Sequence, residues 1–206
     1  MDKIDFKKEL RHLYQPKKEF TVVDVPEMQY LMVDGHGDPN VAQGYTDALE
    51  ALYAVAYKCK FLSKKTLERD YVVPPLEGLW WAEDMDTFAV NRCKSAWDWT
   101  MMIMQPEWID ETVYTTALAQ VAKSKDLAAL PKLRIERYHE GLCVQIMHVG
   151  SYDDEAPTLA RMHNEWMPAE GYEPAGKHHE IYLGDPRRVV SEKLKTVLRQ
   201  PIRKVG

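Results

Sequence analysis

The clearest internal repeat pairs LEGLWWAED at residues 76–84 with HHEIYLGDP at residues 178–186. Aligned in this way, the two segments place Gly78 at the same position as Glu180. Each copy of an internal repeat folds as one structural unit, so a repeat indicates the architecture directly. The alignment therefore predicts two related halves around an approximate two-fold axis, with Gly78 opposite Glu180.

A second pair of segments supports the duplication. MVDGHGDPN at 32–40 and MHVGSYDDE at 147–155 each combine a strand, a glycine and acidic turn residues that open a helix. Two such units predict an α+β domain with helices on one face of an antiparallel sheet. The groove between the halves is a natural ligand site. The alternative is chance, because any α+β chain contains strand–turn–helix pairs that can be aligned.

Local patterns predict the remaining elements. Apolar residues recur at helical spacing from Tyr45 to Ala56, which indicates an amphipathic helix with Asn40 as its N-cap. Residues before Phe20 are charged and are predicted to be a solvated lead-in. Pro26 is expected to break the first strand. Further helices are predicted at 110–127, 156–167 and 191–200, and two strands around a turn at Glu140–Gly141 within 133–155.

Composition excludes several classes of protein. The 206 residues carry a net charge of -5, which argues against nucleic-acid binding, and no apolar run is long enough to span a membrane. The charged N-terminus has no signal-peptide core. Three cysteines without a CxxC motif predict buried, inert thiols in a reducing cytoplasm rather than disulfides or a zinc site: Cys59, Cys93 and Cys143. Six Trp, eleven Tyr and ten Met suit either a roomy apolar pocket or a large core.

Several motifs carry a family resemblance. PPLEGLWW, WTMMIMQP, VGSYDDEAPTLARMHNEW and HHEIYLGDPRR occur in an order and spacing similar to those of the GyrI-like small-molecule-binding proteins, in their stand-alone subgroup. The resemblance implies a tandem SHS2-like βαββ repeat with a cleft between the halves. It implies one GyrI-like domain at 20–206, with halves at about 20–105 and 131–206, after a lead-in at 1–19. That lead-in is too short for a helix-turn-helix module, so we do not expect a transcription factor.

The resemblance also implies a function, with alternatives. Members of the resembled family bind ligands in multidrug-sensing regulators and, in this subgroup, hydrolyse the cyclopropane of DNA-alkylating natural products. It therefore implies either a cofactor-independent detoxifying hydrolase or a non-catalytic protein that senses or sequesters planar or cationic organic molecules. A third hypothesis is a haem-type cofactor binder, which would need an axial histidine and would show a Soret band. The sequence does not separate these three.

Glu180 is the candidate catalytic residue. Alternate side chains of a strand share a face, so His178, Glu180 and Tyr182 point one way. The residues between them are mostly apolar and are expected to face the helices, which leaves the Glu180 set to line the cleft. A carboxylate among aromatic rings suits a general base on water or the counter-charge of a lipophilic cation. The resembled family places a buried glutamate here; the alternative is a surface carboxylate beside a turn.

Aromatic and histidine side chains are the candidate ligand-binding residues. Flat rings stack on planar ligands, and the repeat aligns Trp80 with Tyr182, which favours Trp80 over its neighbour Trp81 as the cleft residue. The alternative for each is a place in the core or a hydrogen bond to the backbone. Adjacent His178 and His179 point to opposite faces, so no metal site is expected. The candidates are Trp80, Trp97, Trp99, Tyr182, Tyr138, His148, Tyr152 and His36.

Overall fold

The first half of the chain contains the strand–helix–strand–strand unit that the family resemblance implies. A computed structural model describes residues 2–83 and 94–206 of the chain. The elements of this half are β1 (Lys3–Ile4), α1 (Phe6–Glu9), α2 (Arg11–Tyr14), β2 (Thr21–His36), α3 (Gln43–Thr66), β3 (Asp70–Tyr71), β4 (Leu76–Trp81), β5 (Asp98–Gln105) and α4 (Glu111–Ser124). The repeat unit consists of β2, α3, β4 and β5.

The second half has the same order of elements. It contains β6 (Arg134–Val149), α5 (Ala156–Arg161), a π-helical turn (Met162–Trp166), α6 (Met167–Ala169), β7 (Tyr172–Pro174), β8 (His178–Tyr182) and β9 (Lys195–Lys204). We call the continuous helical stretch 156–169 the second-half helix. This helix corresponds to α3, and β6, β8 and β9 correspond to β2, β4 and β5.

The strands close into a ring. They pair antiparallel in the order β6-β2-β5-β4-β8-β9, and β9 pairs back onto β6. Each half contributes three neighbouring strands in equivalent order, and Gly78 of β4 pairs directly with Glu180 of β8. The α+β class, the two-fold strand order and this predicted register are therefore confirmed.

Both helical layers pack on the outer face of the ring. The helix predicted from Tyr45 to Ala56 forms, and α3 continues to Thr66. Its small and apolar side chains are buried against alternate residues of β2 and β5, and the second-half helix buries two methionines on β6 and β9. Fully burying one such Leu, Val or Met contributes about 1.5–3 kcal/mol. Outer-face core residues include Leu31, Val33, Leu52, Val55, Met101, Ile103, Val144, Met162, Met167 and Leu198.

The inner face of the ring carries a charged network that the sequence analysis did not anticipate. His179 lies here, fully buried, with Nε2 2.9 Å from Glu77 and Nδ1 3.0 Å from Glu140. Arg199 donates to Glu140 at 3.1 Å, and the Tyr14 hydroxyl donates to Glu77 at 2.9 Å. The expectation that the His179 face of β8 packs on helices was therefore wrong, because the helices cover the opposite face.

The N-terminal residues close the inner face. Leu13 is 0% exposed and Tyr14 is 1% exposed, and both pack against strand residues of the inner face such as Ile181. The prediction of a solvated lead-in was wrong for these residues. They were misjudged because the charged residues around them lie on the solvent side of two short helices, while the apolar side chains face inward.

The predicted terminal helix at 191–200 is wrong. Residues 195–204 form β9, which lies between β6 and β8 and buries every residue from Thr196 to Ile202. The helix was predicted because Leu194, Val197 and Leu198 have helical spacing, but Thr196, Arg199 and Gln200 between and after them are also fully buried, as they are in a strand covered on both faces. The β-branched residues Thr196, Val197 and Ile202 were the available signal for a strand.

Three boundaries differ from the predictions. β2 continues through Pro26, and 134–149 is one strand rather than two, with Gly141 at a φ of 74°. Asn40 does not cap α3; its N–H donates to Asp38 instead.

Cys59 and Cys143 are buried as predicted, whereas Cys93 lies outside the described residues. None of the helices that the structure describes has the length and apolar character needed to cross a membrane.

Candidate ligand-binding cleft

A cleft of about 1360 Å³ lies on the outer face, where the two halves meet. Its floor includes Trp80 from β4 together with Glu180 and Tyr182 from β8. One wall is the exposed side of α3, and the other is formed by Tyr152, Glu155 and the segment 183–188. The predicted position of a ligand cleft thus coincides with a real cavity of the described residues.

Glu180 is held at the floor of the cleft with 13% of its side chain exposed. The Tyr182 hydroxyl donates a 2.7 Å hydrogen bond to Glu180 Oε2. Trp80 Nε1 in turn donates to the Tyr182 oxygen at 3.0 Å, and His178 Nε2 lies 3.4 Å from Glu180 Oε1. Since the indole N–H can only donate, the tyrosine hydroxyl is oriented toward the carboxylate.

Gly78 makes room for this arrangement. A Cβ at Gly78 would lie 2.7 Å from Trp80 Nε1 and 3.2 Å from Met101 Sδ. Trp80 therefore leans over Gly78, two residues earlier in β4, just as Tyr182 leans over Glu180 in β8. The same local geometry in both halves leaves one carboxylate, from the second half only, at the centre of the junction.

Aromatic rings surround the carboxylate. Trp97 meets Trp80 edge-on with ring centroids 5.8 Å apart, and Tyr152 meets Tyr182 edge-on at 5.6 Å. The ring centroid of Tyr45, from α3, lies 6.3 Å from that of Trp80. Of the two adjacent tryptophans, Trp80 faces the cleft, while the neighbouring residue lies on the opposite face of β4. Rings at these distances form walls on which a flat ligand can stack.

The tyrosines of the cleft stay protonated over the physiological range. Burial, with the charges of Glu155 and Glu180, raises the pKa of Tyr152 to about 12. Burial and the charge of Glu180 also raise the pKa of Tyr45 and that of Tyr182. The hydroxyls of Tyr45 and Tyr152 can therefore donate a hydrogen bond to a ligand, whereas Tyr182 already donates its proton to Glu180.

Glu155 is a second carboxylate of the cleft that the sequence analysis missed. It ends the short helical turn Tyr152–Glu155 and is 2% exposed. Acidic residues are common at the start of helices because they complement the helix dipole. The acidic residue at position 155 therefore did not by itself indicate a ligand site. The exposed aromatic residues of α3 were also missed: Tyr53, Tyr57 and Phe61.

Five predicted site residues line the cleft and four do not. Trp99 is 1% exposed, covers Gly35 and donates to the Gly37 carbonyl, so it belongs to the core. His36 is exposed at the sheet edge and pairs with Asp98. The other two are held by local structure: Tyr138 packs in an inner-face cluster, and His148 lies 3.1 Å from the Ser151 carbonyl oxygen. The five in the cleft are Trp80, Trp97, Tyr152, Glu180 and Tyr182.

The cleft holds polar atoms for hydrogen bonding but no evident metal site. Within 2–83 and 94–206, no group of three or more His, Cys, Asp or Glu side chains is arranged to hold a metal ion. His163 lies in the second-half helix, and burial together with the charge of His178 lowers its pKa to about 4. This imidazole is therefore neutral at physiological pH.

Comparison with known proteins assigns the family. Residues 18–203 match the GyrI-like small molecule binding domain, so the chain belongs to the GyrI-like family and contains a small-molecule-binding domain. A comparison with curated proteins gave no match.

Solved structures agree with this assignment. An uncharacterized conserved protein from Listeria innocua is 43% identical, with a TM-score of 0.90 over 98% of this chain and 100% of that chain. A hydrolase from Listeria innocua is 42% identical, with a TM-score of 0.87 over the same shares of the two chains. The C-terminal domain of EcmrR, 10% identical with a TM-score of 0.56 over 91% of this chain and 98% of that chain, shares the fold alone.

Proposed function

We propose that the cleft binds a flat organic molecule and that Glu180 activates water for addition to a strained, electrophilic cyclopropane. The observation that carries the proposal is the position of the Glu180 carboxylate. It is nearly buried, oriented by Tyr182 and surrounded by the rings of Trp80, Trp97 and Tyr152. Poor solvation makes a carboxylate a stronger base, and a positioned base is what water addition needs.

The reaction balances with water as the only co-reactant. The water oxygen forms a bond to the cyclopropane methylene carbon, and Glu180 accepts the proton that water loses. The C–C bond of the ring breaks, and its electron pair moves through the conjugated system to a carbonyl oxygen. A protonated tyrosine of the cleft donates a hydrogen bond to that developing oxyanion, and Tyr152, whose pKa is raised to about 12, stays protonated for this role. The oxyanion then takes up one proton from solvent and Glu180 releases its proton to solvent, so the net reaction is the addition of one water.

Similarity supports hydrolysis as the chemistry. A relative described as a hydrolase is 42% identical over nearly the whole of both chains. We therefore propose that the chain detoxifies cyclopropane-bearing, DNA-alkylating compounds in the cytoplasm. The proposal requires no organic cofactor or metal, since ring strain provides most of the driving force.

The second candidate function is binding of a lipophilic cation without turnover. Two carboxylates in one aromatic cleft favour it, because Glu155 and Glu180 would neutralise a cation that the rings hold by cation–π contact. Such a protein would sense or sequester drugs.

Glu180→Gln tests the two functions, because it keeps the shape of the side chain and removes the base and the charge. We expect turnover of a spirocyclopropane alkylator, followed by chromatography of the hydrated product, to fall by about 10²–10⁴-fold. Affinity for the same neutral compound should change little. Glu192→Gln is the matched control, because Glu192 is an exposed glutamate outside the cleft.

The outcomes are distinct. If wild type shows no turnover and the variant loses affinity for a planar aromatic cation, the protein is a cation binder. If both turnover and cation affinity stay within twofold of wild type, Glu180 is a structural residue of β8 and both proposals are wrong.

A further inference from the structure

His178 is a buried titratable side chain that the proposed hydration does not yet use. It lies in β8, two residues before Glu180 and on the same face, and its side chain is 1% exposed. Its Nε2 atom is 3.4 Å from Glu180 Oε1, whereas the other carboxylate oxygen accepts from Tyr182. Burial of an imidazole and a carboxylate is costly unless each stabilises the other. The two side chains therefore form one unit.

His178 lies behind the cleft rather than in its wall. Glu180 lines the cleft, but His178 is not among the described residues that do so. The second-half helix carries a second imidazole, His163, which is close enough for the charge of His178 to change its pKa. His163 is only partly buried. The two imidazoles therefore lie in series between the Glu180 carboxylate and the surface of the second-half helix.

The second-half helix is irregular at the position of His163. Residues Met162–Trp166 form its π-helical turn, and such turns are rare but frequent at functional sites. A neutral imidazole can accept a proton at one nitrogen and donate one from the other. Burial and the charge of His178 lower the pKa of His163 to about 4, so at neutral pH a proton that reaches this ring passes on to water.

The internal repeat shows that the fold does not need a histidine at this position. The alignment of 76–84 with 178–186 matches His178 with Leu76 and Glu180 with Gly78. Leu76 is 9% exposed and packs in the same core cluster as the buried residues of α3. The first half thus forms the equivalent strand with an apolar side chain, and the histidine occurs in the half that has the carboxylate. Packing alone therefore does not account for His178.

The proposed hydration creates a need for a second exit from the cleft. After water has added, Glu180 holds a proton while the product still covers the floor of the cleft. The carboxylate must lose this proton before it can activate another water molecule. A route through His178 and His163 avoids the occupied cleft, because neither residue belongs to its described lining.

We propose that His178 is a positioning residue that holds Glu180 Oε1 and removes its proton through His163 to the surface of the second-half helix. The proton moves from Glu180 to His178 Nε2, and Glu180 is ionised again. His178 then passes one proton to His163, and His163 passes one to water, so both rings are neutral at the end. The use of this relay in turnover rests on the proposed function, whereas the coupling of Glu180 to His178 does not.

The kinetics of His178→Gln test the relay, because glutamine keeps a polar side chain but cannot take up the proton. The first turnover on ionised Glu180 needs no relay, so its rate in a rapid-mixing experiment with a spirocyclopropane alkylator should stay within twofold of wild type. Steady-state kcat should fall by about 10²-fold, the lower end of what a proton transfer contributes. The value of kcat/KM should stay within twofold, since it does not include steps after hydration.

Chemical rescue separates proton transfer from packing. His178→Ala removes the ring, and added imidazole should raise kcat of this variant by about tenfold or more. Pyrazole has the same shape but is a far weaker base, so it should not rescue. His163→Gln should also lower kcat and leave the first turnover unchanged. His139→Gln is the matched control, because His139 is an exposed histidine of β6 that does not line the cleft, and its kcat should equal that of wild type.

The outcomes distinguish failure of the relay from failure of the hydrolase. If His178→Gln slows the first turnover as much as kcat, or if pyrazole rescues as well as imidazole, His178 only supports packing and the relay is overturned. If His163→Gln keeps the kcat of wild type, the proposed route is overturned.

If the wild type shows no turnover, the hydrolase fails, and ¹⁵N NMR of the histidine rings decides the coupling. The pH at which the His178 ring titrates should then differ between wild type and Glu180→Gln, because the variant removes the neighbouring carboxylate. An unchanged titration of His178 would overturn the coupling as well.

Discussion

Replacing His179 with leucine should destabilise the protein strongly, because it removes the shared partner of two buried carboxylates. The side chains of His179 and Glu77 are 0% exposed and that of Glu140 is 1% exposed. Breaking a buried ion pair costs about 3–5 kcal/mol. We expect the lower end, about 3 kcal/mol, because Arg199 still donates to Glu140 and Tyr14 still donates to Glu77.

Thermal unfolding measures this effect. In a chain of this size, 1 kcal/mol shifts Tm by about 2–4 °C, so His179→Leu should lower Tm by about 6–12 °C. The matched control is His36→Leu, which breaks a 2.8 Å pair with Asp98 at a site where the histidine is 63% exposed. An exposed pair is worth about 0–1 kcal/mol, so this control should stay within about 4 °C of wild type.

The same network predicts how stability depends on pH. Burial alone would lower the pKa of His179, but the charge of Glu140 and hydrogen bonds to Glu140 and Glu77 raise it from 6.5 to about 9. Burial alone would raise the pKa of Glu140, but the charges of His179 and Arg199 lower it from 4.5 to about 2. Because folding raises the pKa of His179, its protonated form contributes stability that is fully present below pH 6.5 and is lost as pH rises through 9. Because folding lowers the pKa of Glu140, its ionised form contributes stability that is present above pH 4.5 and is lost as pH falls through 2.

The free energy of unfolding from urea titrations should therefore be greatest between pH 4.5 and 6.5, as far as these two groups decide it. It should decrease from pH 6.5 to 9 in wild type, and that decrease should be smaller in His179→Leu. Equal losses of Tm in the two histidine variants, or a wild-type stability that rises from pH 6.5 to 9, would refute the network as a source of stability.

Four further variants test the packing and the cleft. Gly35→Ala should cost more than about 2 kcal/mol in urea unfolding, because its Cβ would lie 2.0 Å from the Trp99 ring. Gly44→Ala, a helical position with nothing within 4 Å, should instead stabilise by about 0.5–1 kcal/mol. Tyr14→Phe should lower Tm through loss of one buried hydrogen bond, worth about 1–3 kcal/mol; an unchanged Tm would contradict it. Trp80→Ala should weaken binding of a planar aromatic dye more than about tenfold in a fluorescence titration. Binding of the dye by this variant as tightly as by wild type would mean that Trp80 does not contact the ligand.

Repeats and alternation predicted the centre of the molecule well. Residues that match between the halves meet at the symmetry axis, so the alignment alone placed Gly78 opposite Glu180. Alternation within β8 placed His178, Glu180 and Tyr182 on one face, and that face lines the cleft. Local patterns suffice here because a strand has only two faces.

The features that were missed depend on closure of the ring. Nothing in HHEIYL indicates that His179 lies between two carboxylates, because Glu77 and Glu140 approach it only when β4, β6 and β8 surround one interior. The exposed residues Tyr53, Tyr57 and Phe61 fit the outer side of any amphipathic helix, and only the folded chain shows that they line the cleft. The boundary between a lead-in at 1–19 and a domain at 20–206 stays a prediction.

The most direct test of the account is a crystal structure of Glu180→Gln with an unreacted spirocyclopropane compound. The variant should retain the ligand, since it keeps the shape of the cleft without the base. We expect the ring system to lie against the Trp80 and Trp97 rings, with its cyclopropane methylene carbon near the amide at position 180 and its carbonyl oxygen within hydrogen-bond distance of a tyrosine hydroxyl. A ligand bound on the inner face near His179, or in the small pocket beside His36 and Trp99, would contradict the account.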